Sequence, residues 1–292
     1  MKWVIIVEGI YLIDKKTNMT SYDVIRVLKK KLNVTKIGHT GTLDPFASGL
    51  LIILTGRTTK LSDYLLNDDK TYTGEITFGY STDTYDLEGK IVNKLETFNI
   101  REVELNNAFK SLTGKITQIP PIYSAIKVDG KKLYDYARAN NPVEIMPREV
   151  NVMEFRPTGI LSDNKISFLA SVSKGTYIRS LAHDLGKQLN IPSHLSSLRR
   201  IRSGNFNVND AYHLDSIDEN TKPSMTLTEF AESLDKVIIK PYLEKLILNG
   251  IYLDSRQTSI NKLFSVYTED NRLIAIYTPQ EDKYKPLIIL GE

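Results

Sequence analysis

Residues 38–54 read GHTGTLDPFASGLLIIL, a loop rich in glycine, threonine and proline that leads into a continuous apolar run. The run at residues 50–54 has the length of a strand and shows no alternation, which predicts a strand buried on both faces. Asp44 lies in the loop just before it. Pro45 disfavours helix at Asp44 and keeps the chain extended there, and Gly41 permits backbone angles that other residues resist.

Asp44 has two interpretations on this pattern. An aspartate next to proline and glycine is common in turns, where the carboxylate caps backbone amides. The alternative is a catalytic carboxylate, and residues 173–179, predicted here as part of a strand, support it. Tyr177 and Arg179 are two residues apart and would share a strand face. Arg179 can then pair with Asp44 and keep it ionised.

Two aromatic side chains could bind a base near this carboxylate. Tyr72 lies near the start of a predicted strand at residues 70–80, where it can stack on a base or simply pack in the core. His39 in the loop can form a local hydrogen bond or contact RNA around an extruded base. Neither residue decides the function by itself.

Hydrophobic periodicity predicts the remaining elements. Strands are expected at residues 1–8, 10–13 and 166–179, and a small β-rich domain at residues 237–292. Helices are expected from an N-cap at Ser21, and at residues 58–66, 101–112, 131–139 and 180–189. Residues 120–149 form a long basic excursion that includes Lys127, Lys131, Lys132 and Arg138. Long excursions of this kind are usually surface loops and often functional.

Composition limits the possible functions. The 292 residues include no cysteine, which excludes disulfides and thiolate metal sites, and the four histidines show no metal-binding spacing. We therefore expect neither a metal nor a cofactor. No segment approaches the length of a membrane span, so a cytoplasmic protein is expected. The net charge of +3 permits a nucleic-acid partner if the basic side chains cluster.

Three separated motifs resemble the TruB family of tRNA pseudouridine synthases. The first is residues 38–50, GHTGTLDPFASGL. The second is residues 120–127, PPIYSAIK, with Gly130, Tyr134, Ala137 and Arg138 after it, and the third is residues 174–179, KGTYIR. Their order is the family's order, and the resemblance extends over essentially the whole chain.

The resemblance implies a fold and a domain organisation. The fold is α+β, with a mixed, mostly antiparallel pseudouridine-synthase sheet flanked by helices and loops. Residues 1–236 would be the catalytic domain, with a mobile thumb at about residues 120–149 that grips RNA. Residues 237–292 would form a small, β-barrel-like PUA domain that also binds RNA.

The resemblance also implies an activity and its residues. The family converts the uridine at position 55 in the T loop of tRNA into pseudouridine. Asp44 matches the catalytic aspartate and Arg179 its ion-pair partner, whereas Tyr72, Tyr177 and Leu198 match residues around the target base. The thumb cations would contact the T arm. A monomer that needs no guide RNA or protein partner is expected.

One early motif departs from the family pattern, which usually reads Lys-Pro-x-Gly-x-Thr-Ser. Here residues 15–21 are KKTNMTS, so Lys16 replaces proline and Asn18 replaces glycine. Because asparagine tolerates the left-handed conformation better than most residues, we expect the turn to persist.

Three alternatives and one mechanistic choice remain open. An RNA chaperone needs basic and aromatic surface but no poised carboxylate. A glycoside hydrolase needs a second carboxylate, for which Asp83 and Asp86 are weak candidates. The third alternative, within the family, is a dyskerin-type, guide-dependent synthase. If Asp44 is catalytic, it can attack C1′, attack C6 or remove the C2′ proton.

Overall fold

The computed structural model describes residues 8–139, 141 and 143–291. The strand expected at residues 1–8 lies outside this part, except for Glu8. The strands are β1 (Gly9–Lys15), β2 (Ile37–Thr40), β3 (Ser48–Thr55), β4 (Lys70–Phe78), β5 (Tyr80–Thr82), β6 (Ile91–Lys94), β7 (Gly114–Gln118), β8 (Lys127–Val128), β9 (Lys131–Lys132), β10 (Arg148–Pro157), β11 (Lys165–Val172), β12 (Ser193–Ser203), β13 (Phe206–Asn207), β14 (Tyr212–His213), β15 (Met225–Thr226), β16 (Asp235–Ile238), β17 (Phe264–Tyr267), β18 (Leu273–Gln280) and β19 (Lys283–Ile289). The helices are α1 (Ser21–Lys31), α2 (Ser62–Leu66), α3 (Glu102–Ser111), α4 (Leu133–Arg138), α5 (Ile178–Leu189), α6 (Leu227–Glu232) and α7 (Pro241–Leu248).

A large sheet carries the fold, in the order β14-β1-β3-β12-β4-β11-β10-β7, with β2, β13 and β15 paired alongside. Most neighbouring strands are antiparallel, whereas β12 runs parallel to β3 and β14 runs parallel to β1. The smaller C-terminal sheet has the order β16-β17-β18-β19. The predicted α+β architecture is therefore confirmed. The domain boundary at residue 237 stays a prediction. Strand β16, which belongs to the C-terminal sheet, begins two residues before it, at Asp235.

Strand β3 is buried on both faces, as its continuous apolar run predicts. Leu51 and Ile53 point into one hydrophobic cluster, which also contains Leu28 of α1 and Leu181 of α5. Leu50, Ile52 and Leu54 point into a second cluster, which they share with side chains of α6 and of the C-terminal sheet. The loop that precedes β3 is therefore attached to a strand whose residues are all buried except Ser48.

The N-cap of helix α1 lies one residue earlier than predicted. Thr20 is the N-cap, and it forms a capping box with Asp23. The hydroxyl of Ser21 instead accepts a hydrogen bond from the backbone N–H of Leu43 at 2.9 Å. Ser21 thus connects the start of the helix to the loop that carries Asp44.

The C-terminal region contains α7, which the sequence reading did not predict within the β-rich segment. Its first residue is Pro241, a position where proline is favoured because no N–H partner is needed. No described helix is long and apolar enough to cross a membrane.

Candidate active site

The loop between β2 and β3 is held from both sides of Asp44. Leu43 is buried and hydrogen-bonded to Ser21, and on the other side the N–H of Asn18 donates to the carbonyl of Pro45 at 2.9 Å. Phe46 is also buried. Since the residues on both sides of it are fixed, Asp44 has a defined position in the loop.

The hydrogen bond from Asn18 to Pro45 comes from the motif at residues 15–21. Asn18 adopts the left-handed conformation, with φ 61°, so the expectation that the turn persists without glycine is confirmed. The ammonium group of the buried Lys15 donates to the carbonyls of Lys16, Met19 and Pro45 at 2.7–3.2 Å. Burial lowers the pKa of Lys15 to about 8, although the Asp44 carboxylate opposes this shift.

Arg179 and Asp44 form an ion pair, although they are far apart in the sequence. Nε of Arg179 lies 2.9 Å from Oδ2 of Asp44, and Nη2 donates to Oδ1 at 3.3 Å. The Arg179 side chain is only 6% exposed, whereas 35% of the Asp44 side chain remains open. In the part of the chain that the structure describes, no backbone amide donates to this carboxylate. The described contacts of this carboxylate therefore give no support to the interpretation of Asp44 as a turn cap.

A second carboxylate, Asp86, shares the same guanidinium. Its Oδ2 lies 3.3 Å from Nη1 of Arg179, and its side chain is 5% exposed. Asp86 also accepts hydrogen bonds through Oδ1 from the Thr84 hydroxyl at 2.6 Å and from the N–H of Glu88 at 3.0 Å. Sequence reasoning considered Asp86 only as a weak hydrolase acid. The structure shows it as a buried charge partner of Arg179, held in place by the bonds from Thr84 and Glu88.

Burial and charge act in opposite directions on Asp44. Burial raises the pKa of its carboxyl group, and this is the largest influence. Arg179 opposes the increase, and the charge of Asp86 adds to it. Because 35% of the Asp44 side chain remains exposed, the carboxylate is both partly desolvated and accessible. Such a combination is typical of catalytic groups.

Arg179 lies in a helix, so the strand predicted for residues 173–179 is wrong there. Strand β11 ends at Val172, and the chain turns at Gly175, which has φ +80°. Tyr177 is the N-cap of α5. The side-chain amide of Gln118 forms two hydrogen bonds with the backbone of Tyr177. Its oxygen accepts from the Tyr177 N–H at 2.8 Å, and its NH₂ group donates to the Tyr177 carbonyl at 3.1 Å. The buried Gln118, which sequence reasoning missed, thereby fixes the start of α5 and hence Arg179.

Tyr72 and Leu198 lie on neighbouring strands of the sheet, as the register of β4 and β12 shows. They are 9% and 7% exposed, respectively. Both belong to the hydrophobic cluster that contains Leu43 and Phe46, the residues on either side of the Asp44 turn. The two side chains therefore belong to the same apolar core as the residues that flank the Asp44 turn.

His39 is on strand β2 rather than in the loop expected from the sequence, paired in register with Ile53 of β3. It is half-buried. Burial, assisted by the charge of Arg200, lowers the pKa of His39, so its ring is neutral at pH 7. The structure places it five residues before Asp44 and records no contact between the two side chains.

The basic excursion folds into the hairpin β8–β9, which was not predicted, and helix α4, which lies within the range predicted for a short helix. Lys127, Lys131 and Arg138 are exposed, and Lys132 is half-buried. The ammonium of Lys132 and the guanidinium of Arg138 each lie 5.3 Å from the ring centre of Tyr134. The base of the excursion contacts the site, since Nη2 of Arg179 donates to the carbonyl of Tyr123 at 3.0 Å. Pro142 within it lies outside the described residues.

Two family models match the chain. One, the TruB family pseudouridylate synthase N-terminal domain, matches residues 29–178. The other, the tRNA pseudouridylate synthase B C-terminal domain, matches residues 179–248. The tRNA pseudouridine synthase B of Acholeplasma laidlawii is 39% identical, covering 95% of this chain and 98% of the relative. That of Listeria innocua is 42% identical, with coverages of 96% and 97%.

Solved structures share the fold. A chain in the crystal structure of a Cbf5–Nop10–Gar1 complex superimposes with a TM-score of 0.71 at 25% identity, covering 98% of this chain and 85% of that one. The two family models and these relatives identify the class of protein as a pseudouridine synthase. The chain belongs to the TruB family of tRNA pseudouridine synthases, and it isomerises uridine to pseudouridine in tRNA.

Proposed function

We propose that the chain modifies the uridine at position 55 in the T loop of tRNA, with Asp44 as the catalytic carboxylate. The observation that carries this proposal is the pairing of a partly open Asp44 with the buried Arg179. A buried cation next to the carboxylate favours its ionised form against the effect of burial. An ionised Asp44 is required whether it attacks C1′, attacks C6 or removes the C2′ proton.

The reaction balances without an external reagent. The N1–C1′ bond breaks, the uracil turns, and a C5–C1′ bond forms. C5 then loses its proton, and N1 acquires one. Asp44 starts the sequence as a nucleophile or a base. Arg179 keeps Asp44 oriented, because it contacts both carboxylate oxygens.

The target uridine has to leave its stacked position in the T loop before Asp44 can reach it. Extrusion of a base costs on the order of a few kcal/mol, and stacking on an aromatic side chain returns about 1–3 kcal/mol. We assign the stacking to Tyr72, with Tyr177 and Leu198 as further pocket residues. His39 is suited to contact the loop around the extruded base as a neutral ring.

The basic excursion supplies the grip on the T arm in this proposal. Lys127, Lys131, Lys132 and Arg138 offer cations to the phosphates, and the C-terminal domain, proposed to be PUA-like, extends the contact. Affinity for tRNA should consequently fall with salt. The chain carries its own RNA-gripping segment, which supports action as a monomer on free cytoplasmic tRNA without guide RNA.

The test is incubation of the purified chain with an unmodified T-arm stem-loop, followed by mapping of pseudouridine. We expect one modified nucleotide, at position 55, with no added RNA or protein. A stem-loop with cytidine at this position is the matched control and should stay unmodified. Modification elsewhere would refute the position, and activity only with an added guide RNA would favour the guide-dependent alternative.

A further inference from the structure

The loop that carries Asp86 contains an unusual backbone conformation next to the site. Tyr85 has φ 63°, in the left-handed region that aromatic residues rarely adopt. Its neighbours on both sides contact Arg179. The carbonyl of Thr84 accepts a hydrogen bond from Nη1 at 3.2 Å, and Asp86 lies 3.3 Å from the same nitrogen. The turn at Tyr85 therefore aims two groups at one guanidinium.

The ring of Tyr85 is covered by His183. The ring centres are 3.9 Å apart and the planes differ by 8°, which is a face-to-face stack. The Tyr85 carbonyl also accepts a hydrogen bond from the N–H of Leu195 at 3.0 Å. The backbone of Tyr85 is thus held by a backbone hydrogen bond, and its side chain is held by the stack on His183 of α5.

His183 lies on α5 one turn after Arg179, so both side chains project from the same side of the helix. Its Nδ1 is buried and makes no hydrogen bond within the described residues. Burial, with a smaller contribution from Lys187, lowers the pKa of His183 to about 4, so the ring is neutral at pH 7. A half-buried, neutral histidine whose Nδ1 makes no hydrogen bond within the described residues is here a flat packing surface for Tyr85.

We propose that His183 is a positioning residue, which stacks on Tyr85 to keep the left-handed turn in place and thereby holds Thr84 and Asp86 against Arg179. Arg179 is in turn held against Asp44. This inference rests on the proposed catalytic role of Asp44. The stack between His183 and Tyr85 orients the guanidinium of Arg179. Loss of the stack should therefore lower kcat rather than weaken tRNA binding.

The test compares His183→Ala with His183→Phe, which restores a flat ring. Loss of an aromatic pair corresponds to roughly a 2- to 12-fold effect. We expect His183→Ala to lower kcat by this factor with an unchanged KM, and His183→Phe to recover it. The exposed His213 provides the matched control, and His213→Ala should keep the wild-type kcat. Equal kcat for His183→Ala and wild type would overturn the proposal, as would an equal loss in His183→Phe.

A second variant covers the case in which His183→Ala fails to fold. Tyr85→Gly removes the ring but accepts φ 63° without strain. Its kcat should fall by a similar factor, and a wild-type kcat would overturn the proposal. Asp44→Asn is measured in parallel. If it stays active, the catalytic role of Asp44 fails. If it is inactive while His183→Ala and Tyr85→Gly turn over normally, the positioning role alone is refuted.

Discussion

Replacement of Arg179 by methionine removes the charge at the centre of the site while keeping most of the side-chain volume. The guanidinium contacts two carboxylates, Asp44 at 2.9 Å and Asp86 at 3.3 Å, and donates to two backbone carbonyls. Removal of one partner of a buried ion pair typically costs about 3–5 kcal/mol, because the other charge stays buried without compensation. We expect the free energy of unfolding in urea to fall by about this amount.

The same change should move the pH dependence of catalysis. Arg179 holds the pKa of Asp44 down against the effect of burial, so its loss raises this pKa further. Activity requires the ionised carboxylate and is lost as pH falls through its pKa. The acidic limb of kcat/KM should therefore move to higher pH in Arg179→Met. Tritium release from C5 of labelled uridine in tRNA measures the rate at each pH.

Two further variants make the test specific. Arg179→Lys keeps a positive charge, so its acidic limb should lie closer to that of the wild type. Asp86→Asn combined with Arg179→Met removes one of the two uncompensated charges and should regain part of the lost stability. An Arg179→Met protein with wild-type stability and an unmoved acidic limb would refute the account of the charge network.

Two more predictions follow from the same geometry. Tyr72→Ala should lower kcat by roughly 5- to 150-fold, the equivalent of one base stack, while filter binding shows little change in tRNA affinity; a binding loss equal to the rate loss would contradict this. Asn18→Ala should lower the free energy of urea unfolding by about 1 kcal/mol, because alanine is strained at φ 61°. Asn18→Gly is its control and should unfold like the wild type, and equal losses in both variants would argue against backbone strain.

The features predicted well from the sequence were those set by local pattern. Strand β3 was recognisable because burial on both faces requires a continuous apolar run. The turn at Asn18 was predictable because few residue types tolerate its backbone angles. The pairing of Asp44 with Arg179 was expected from the chemistry of the two groups, and the structure confirms the contact.

The features missed depend on contacts between distant parts of the chain. Residues 173–179 have the composition of a strand, but Gly175 turns the chain and the Gln118 side chain takes the place of a neighbouring strand. Asp86 looked like one more polar loop residue, because its partner Arg179 follows much later in the sequence. No local pattern records such partners. His39 was placed in a loop because glycines surround it, whereas pairing with β3 makes it a strand residue.

The central claim is that the ionised carboxylate of Asp44 starts the isomerisation. The most direct measurement is a single-turnover assay of Asp44→Asn at saturating enzyme, with pseudouridine quantified in the T-arm RNA. Asp63→Asn, at an exposed aspartate of α2, is the matched control and should react like the wild type. We predict that Asp44→Asn binds tRNA normally and forms no pseudouridine. Substantial pseudouridine from this variant would contradict the account.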